Sequence, residues 1–246
     1  MSKVLLYSGG MDSWLIDKLW KPDKKIYIDI EGSYSKDEIS RLPKDVEIVK
    51  LPIGIYEQPS KYVPLRNLYF LMIASNYGDE LCLGATGGDW GSKDKTPEFF
   101  AKAEDMLNFL LSKQSKVDSS RHIHIETKYL YMYKNELLEE YVKQGGSLES
   151  LYNDSFSCFT PVNGKPCLSC KPCFRKYVCL ADAGFEFSKQ ERETMYNFVR
   201  QHIVPRSQNV NATYYSERGS EGVVAKRVVE KLYKEFGGDI KADESK

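Results

Sequence analysis

The sequence lacks a net charge, with 35 Lys and Arg against 35 Asp and Glu. No overall field recruits a polyanion, so free nucleic acid or an anionic membrane surface is not its default partner. A long apolar run is missing too. The best, around Leu68 to Ala74, contains Tyr69 and falls well short of the ~20 residues that span a bilayer. Met1-Ser2-Lys3 leads straight into Val4-Leu5-Leu6-Tyr7, without a basic stretch followed by a long apolar one, and the expectation is a cytoplasmic protein. In that compartment the sequons Asn153-Asp154-Ser155 and Asn211-Ala212-Thr213 are expected to stay unmodified. Internal repeats and low-complexity tracts are absent. What is present is enough apolar material, 41% hydrophobic with 13% aromatic over 246 residues, to build one large domain or two small ones. That composition excludes a disordered or fibrous chain.

The pattern along the chain alternates. Lys3 to Tyr7 reads as a buried strand, Ser8 to Asp12 as a turn, Ser13 to Trp20 as a helix ended by Pro22, and Lys25 to Ile30 as a second strand. Strand, helix, strand within about thirty residues is a βαβ unit, with a right-handed crossover and a parallel sheet. Lys36 to Arg41 then reads as helix and Val46 to Leu51 as strand. Pro64 to Tyr77 is the longest apolar helix, Glu80 to Gly84 the next strand, and Thr96 to Ser112 a helix opened by Thr96-Pro97-Glu98. His124 to Thr127 reads as one more short strand. The fold class expected is α/β, a doubly wound parallel sheet whose ligand site lies at the carboxyl ends of the strands. From about Lys134 the pattern turns helical, with Lys134 to Lys143, Lys171 to Ala183, Lys189 to Gln201 and Ser220 to Phe236 around a cysteine-bearing loop. Gly237 to Lys246 has no periodicity and is expected to fray.

Two constellations carry chemistry. Ser8-Gly9-Gly10-Met11-Asp12-Ser13 stands where the first strand hands over to the first helix, a position that favours an anion. Two glycines let the backbone approach a phosphate, the serine hydroxyls can donate to oxyanions, and Asp12 can cap the helix or help to hold magnesium. The same residues also serve as an ordinary strand-to-helix turn. No Gly-Lys-Ser/Thr follows, so this is not a Walker A loop, and the spacing is not that of a dinucleotide fingerprint. The second constellation is Cys158, Cys167, Cys170 and Cys173. Four thiolates spaced C-x8-C-x2-C-x2-C suit tetrahedral zinc in a closed, structural site, with reduced buried thiols or disulfides as the alternatives. Cys82 and Cys179 read as core residues. His122 and His124 share one face of a strand, and Tyr129, Tyr131 and Tyr133 read as a period-two packing face.

The first motif resembles the PP-loop of N-type ATP pyrophosphatases, which split ATP between its α- and β-phosphates. Together with the cysteine spacing, the chain from about Lys3 to Phe185 resembles the 7-cyano-7-deazaguanine synthase (QueC) family. Supporting stretches are Val63-Pro64-Leu65-Arg66-Asn67, Gly84 with Asp89, Pro97-Glu98-Phe99, Ser157-Cys158-Phe159 and Pro166-Cys167-Leu168-Ser169-Cys170-Lys171-Pro172-Cys173-Phe174-Arg175-Lys176. The resemblance implies ATP-dependent conversion of 7-carboxy-7-deazaguanine to the nitrile with ammonia, releasing AMP and pyrophosphate, in an enzyme that uses ATP, Mg2+ and Zn2+. It implies nucleotide binding by Tyr7, Ser8, Gly9, Gly10, Met11, Asp12, Ser13, Trp14, Leu15, Ile16 and Asp17. Asp12, Ser13, Arg66 and Asp89 are the catalytic candidates, although Arg66 could equally be a salt-bridge partner and Asp89 a loop-capping carboxylate. The implied organisation is a PP-loop ATP-binding α/β domain over 1–133, a helical zinc subdomain over 134–236 and a tail over 237–246, assembled as a homodimer.

Two segments depart from the family pattern. Ile30-Glu31-Gly32-Ser33-Tyr34 stands in place of Asp-Tyr-Gly-Gln-Arg, and Lys93-Asp94-Lys95-Thr96-Pro97 in place of a Tyr-Pro-Asp-Cys-Arg run. Those changes leave open a related ligase that joins the same carboxylate to another amine as an amide. A tRNA-modifying PP-loop enzyme is a further alternative, against which the neutral charge weighs. A nucleotide-binding scaffold without catalysis is the last.

Overall fold

The computed structural model describes residues 2–113, 120–206, 219–240 and 243. The second sequon, at Asn211, lies outside them. The chain divides into two compact units, 1–132 and 133–246.

The first unit is built on five parallel strands: β1 Lys3–Leu6, β2 Lys24–Asp29, β3 Val46–Lys50, β4 Glu80–Leu83 and β5 His124–Ile125. Their order is β3-β2-β1-β4-β5. Leu5 pairs with Lys25 on one side and with Cys82 on the other. The central strands read as unbroken apolar runs because both faces are covered: Val4, Leu5, Ile26, Leu81 and Cys82 are all buried. At the edge, β3 exposes Ile48. The sheet is packed by α1 Met11–Trp20, α2 Ser35–Ile39, α3 Arg66–Ala74 and α4 Pro97–Leu111. Helix α4 starts as its sequence dictates, with Thr96 Oγ1 accepting from the Phe99 amide at 3.3 Å and proline in the first turn. Phe100, Ala103 and Leu107 turn one face of α4 into the core beside Leu71 and Ala74 of α3. Strand order reverses at β1, since β2 lies on one side and β4 on the other. A crevice for ligands opens at the carboxyl ends of strands on such a switch point.

Several local expectations shift. The tyrosines at 129, 131 and 133 do not form a strand face: Lys128–Tyr131 is a 3-10 turn that buries Tyr129 and Leu130 and leaves Tyr131 exposed. The hydrogen bonds of Gly87 and Trp90 to the Met132 and Leu130 carbonyls hold that turn against the loop after β4. Strand β5 is only two residues long, and His122 and His124 are both solvent-facing. A short helix was missed inside the cysteine-bearing loop.

The second unit is helical: α5 Lys134–Lys143, α6 Leu148–Asp154, α7 Lys171–Asp182, α8 Lys189–Phe198 and α9 Gly219–Phe236. Helix α8 is opened by a capping box between Ser188 and Glu191 and runs into a π-helical turn, Val199–Ile203. Arg175 of α7 makes a two-bonded ion pair with Glu221 of α9, which is only 1% exposed. Asp243, within the stretch expected to fray, is buried and accepts hydrogen bonds from Tyr233 and Arg200. Among the described residues no helix is long and apolar enough to cross a membrane.

Candidate functional site

The turn after β1 folds onto its own hydroxyls. Ser13 Oγ accepts from the Ser8 amide and stands 3.2 Å from Ser8 Oγ, and it reaches the Gly10 carbonyl at 3.2 Å. Ser8 Oγ accepts from the Gly10 amide at 3.4 Å. Gly9 holds a φ of 74°, which a side chain would disfavour, and Gly10 caps α1 with backbone alone. The result is a tight loop at a helix amino terminus, with Asp12 in the first turn. Peptide dipoles and first-turn amides make such a place favourable for an oxyanion.

Across the switch point, Gly84 closes the other side. A Cβ on Gly84 would stand 3.4 Å from both Cβ and N of Ser13, so the residue after β4 lies directly against the loop. Beyond Gly84, Thr86 and Asp89 form a reciprocal cap: the Thr86 amide and hydroxyl both donate to Asp89 Oδ2. This is the loop-capping role weighed for Asp89. The next turn is tied to α3 by Asn67, whose side chain is buried and donates to the Asp94 carbonyl at 3.1 Å. Arg66 begins α3, which runs from the carboxyl edge of the sheet towards β4. Its Nη1 donates to the Tyr34 hydroxyl at 2.9 Å. Arg66 and Asp89 therefore belong to the same rim of loops as Ser8 to Ser13.

The long stretch expected to bind nucleotide divides along its length. Tyr7 precedes the loop and Met11 lies within it, both buried, while Trp14, Leu15 and Ile16 are core residues of α1. Asp17 lies more than a helical turn from Asp12 and forms ion pairs with Lys18 and Lys25, away from the loop. Sequence reasoning did not give Tyr34 or Asn67 a role. Asn67 carried a signal, as a polar residue on the buried face of an apolar helix. Tyr34 meets its partner across 32 positions and carried none.

In the second unit the four cysteines converge. Cys158, Cys167, Cys170 and Cys173 place their sulfurs within 4.8 Å of one another. Asn163 and Gly164, both at positive φ, make a tight hairpin in which Val162 and Lys165 exchange both backbone hydrogen bonds. That hairpin folds Cys167 back to Cys158, whose sulfur accepts from the Cys167 amide at 3.3 Å. Cys170 caps α7 and Cys173 lies in its first turn. Hydrogen bonding from Cys173 pulls the Cys170 thiol down to about 5, while the same contact and burial push Cys173 up. Four thiols this close cannot all ionise without a counter-charge, and a divalent cation that takes sulfur supplies it. About 3.8 Å between sulfurs follows from tetrahedral bonds of ~2.3 Å, so the cluster would fit zinc with a contraction of at most about 1 Å. Lys176, on the next turn, donates to the carbonyls of Tyr152 and Ser155 at 2.9 and 2.6 Å and fastens the end of α6 to α7.

A parallel sheet of order 3-2-1-4-5 with an anion-favouring loop at its switch point defines a doubly wound α/β class, here in one chain with a helical unit bearing a four-thiol cluster. Residues 24–184, well over half of the chain, match the family model described as queuosine biosynthesis protein QueC, and the chain belongs to that family. The matched span begins downstream of Ser8 to Ser13 and includes all four cysteines. Similar curated proteins, each named 7-cyano-7-deazaguanine synthase, come from Leptospira biflexa, 32% identical over 136 residues, and Geobacter sp. strain M21, 31% identical over 152. A third, from Erythrobacter litoralis, is 29% identical over 165 residues. The alignments cover 53%, 59% and 64% of this chain and 53%, 64% and 66% of those relatives, so the matched part spans between half and two thirds of their length.

Proposed function

We propose that the protein is an ATP-dependent carbon–nitrogen ligase that converts 7-carboxy-7-deazaguanine and ammonia to 7-cyano-7-deazaguanine, releasing AMP and pyrophosphate. The observation that carries this reading is the Ser8–Ser13 loop, closed by its own hydroxyls and pressed against Gly84 at the switch point, in a chain of the QueC family.

A carboxylate is a poor electrophile until one oxygen becomes part of a good leaving group. Its oxygen attacks the α-phosphorus of ATP, the bond to the β-phosphate breaks, and pyrophosphate departs into the loop. There Ser8, Ser13 and the amides of the first turn of α1 offset its developing charge. Asp12, a hard oxygen donor in that turn, would hold the magnesium that neutralises the phosphates. Ammonia then attacks the acyl carbon, AMP leaves, and a proton is lost to give the amide. The amide oxygen then attacks the α-phosphorus of a second ATP, pyrophosphate leaves and one nitrogen proton is lost to give the O-adenylyl imidate, and loss of AMP with the remaining nitrogen proton gives the nitrile. No protein nucleophile is required, so catalysis rests on positioning and electrostatics. Arg66 binds the acid or its adenylate, and Asp89 holds the β4 loop in shape. The α/β unit serves ATP, and the four cysteines of the helical unit would hold a structural zinc, tying their loop to α7.

The departures at Glu31 to Tyr34 and Lys93 to Pro97 favour one second reading, a ligase that stops at an amide with ammonia or another amine. Incubation with the acid, ATP and ammonium, followed by mass spectrometry of the product, tests both. Two equivalents of pyrophosphate per nitrile support the full reaction, one equivalent per amide supports the shorter one, and no acid-dependent pyrophosphate refutes the ligase.

A further inference from the structure

Two loops meet at the carboxyl end of β2. Residues 30–34 follow the strand directly, and residues 53–65 run from β3 towards α3. The Gly54 amide donates to the Ile30 carbonyl at 2.7 Å, the Ser33 amide and hydroxyl both donate to Glu57 at 2.9 Å, and Lys61 Nζ donates to Ser33 Oγ at 2.6 Å. Glu31, Lys61 and Leu65 hold positive φ values of 56, 66 and 60° without being glycine. Such backbone is costly and persists where the surroundings over-determine it, a pattern that concentrates at ligand sites.

What these loops hold is Tyr34 against Arg66. The bond between them uses Nη1 of the guanidinium. Phe70, one turn along α3, has its ring centre 5.8 Å from the guanidinium carbon. The opposite edge of the group is different. Nε is buried without a hydrogen-bond partner, and neither Nη2 nor the Tyr34 hydroxyl hydrogen has an acceptor among the described residues. The nearby carboxylates are engaged elsewhere: Glu38 accepts from Tyr27 at 2.7 Å and Glu57 from Ser33. Nε and Nη2 form the edge that makes two parallel bonds to a carboxylate or a phosphate. A buried N–H left unmet is destabilising, which calls for a reason.

We propose that Tyr34 is a positioning residue: it pins Arg66 through Nη1 so that the Nε and Nη2 edge receives the oxyanion of the acid substrate. The inference rests on the reaction proposed above, which supplies that acid. An incoming oxyanion meets Nη2 first and Nε once the protein atoms covering it yield. Tyr34 lies in a segment that departs from the family run, so the device sets what this chain accepts beside its ATP loop. A nucleotide phosphate offers the same oxygens, and the test separates the two sources.

The full-length zinc-loaded protein is titrated calorimetrically with 7-carboxy-7-deazaguanine, with its neutral carboxamide, and with magnesium α,β-methylene-ATP. Wild type, Tyr34→Phe and Arg66→Lys are compared, with thermal melting to check the fold. Tyr34→Phe is expected to weaken the acid about tenfold, the loss of one hydrogen bond to a charged group, and to leave the carboxamide and the nucleotide within about twofold. Arg66→Lys, which has no fork, is expected to weaken the acid at least as much. Weakening of the nucleotide alone keeps the pair as an oxyanion site and assigns it to phosphate. Equal weakening of acid and carboxamide, or unchanged binding of every probe that wild type binds, overturns the proposal. A wild type that binds nucleotide but not the acid refutes the reaction while the pair is still judged on the nucleotide; one that binds neither overturns both. If Tyr34→Phe does not fold, Arg66→Lys decides by the same acid-to-carboxamide ratio.

Discussion

Replacing Cys170 with serine removes one of four sulfurs that stand within 4.8 Å of one another. The Cys170 side chain makes no cap of its own, so what is lost is the tie between the cysteine loop and α7, whose Phe174, Val178 and Leu180 are fully buried and whose Tyr177 nearly so. Structural zinc in small modules contributes about 10–16 kcal/mol of apparent binding energy, so one ligand in four corresponds to roughly 3–4 kcal/mol. Whole domains are stable by only about 5–15 kcal/mol. At roughly 2–4 °C per kcal/mol for a chain of this size, Cys170→Ser is expected to melt about 5–15 °C below wild type, with its zinc content reduced. Cys179→Ala is the internal control: its side chain is buried in the same helix but outside the cluster, and it is expected to cost only about 1–2 kcal/mol with zinc retained. The assay is thermal unfolding by circular dichroism alongside metal analysis of protein purified without added zinc. One zinc per chain in Cys170→Ser with wild-type melting, or a wild type whose melting is indifferent to a strong chelator, would refute the reasoning.

Asp12→Ala is expected to abolish acid-dependent pyrophosphate release and leave thermal melting unchanged; an active variant ends the assignment of magnesium to Asp12. Burial raises the Glu38 carboxyl above its ordinary value of 4.5, against the hydrogen bond from Tyr27 and the charge of Arg66. A carboxyl raised in the fold supplies stability below its unfolded pKa and loses it as pH climbs through the folded one. Glu38→Gln, which can still accept from Tyr27, is therefore expected to match or exceed wild type in urea at pH 7, with the advantage shrinking towards pH 4.5; a deficit that grows with pH contradicts this. Arg175→Ala removes the two-bonded cation facing buried Glu221, with an expected loss of about 3–5 kcal/mol in urea unfolding, most of it recovered when Glu221→Leu is added to Arg175→Met. A near-neutral Arg175→Ala would contradict the burial argument.

The parallel sheet was legible because β1, β2 and β4 are short apolar runs broken by turn residues, the mark of strands covered on both faces. The Ser8–Ser13 turn and the cysteine cluster were legible for a related reason: their spacing is local, and the Asn163-Gly164 turn that closes the thiol loop is itself written in sequence. Helix α6 was lost because its seven residues bury only Leu151, too little to show a period. The tyrosines at 129 to 133 imitate a strand, yet hydrogen bonds from Gly87 and Trp90 hold the segment as a turn. The Arg66 to Tyr34 contact and the bond from Asn67 to Asp94 bring together residues about thirty positions apart, which no local pattern encodes.

The central claim is that the acid is activated as its adenylate at the Ser8–Ser13 loop, and the most direct test follows one oxygen atom. Zinc-loaded protein is given ATP, magnesium, ammonium and 7-carboxy-7-deazaguanine labelled with oxygen-18 in its carboxylate, and the AMP is analysed by mass spectrometry. Attack by the carboxylate on the α-phosphorus leaves one labelled oxygen on AMP, with pyrophosphate formed only when the acid is present. Unlabelled AMP, or ADP and phosphate in place of AMP and pyrophosphate, would contradict the account.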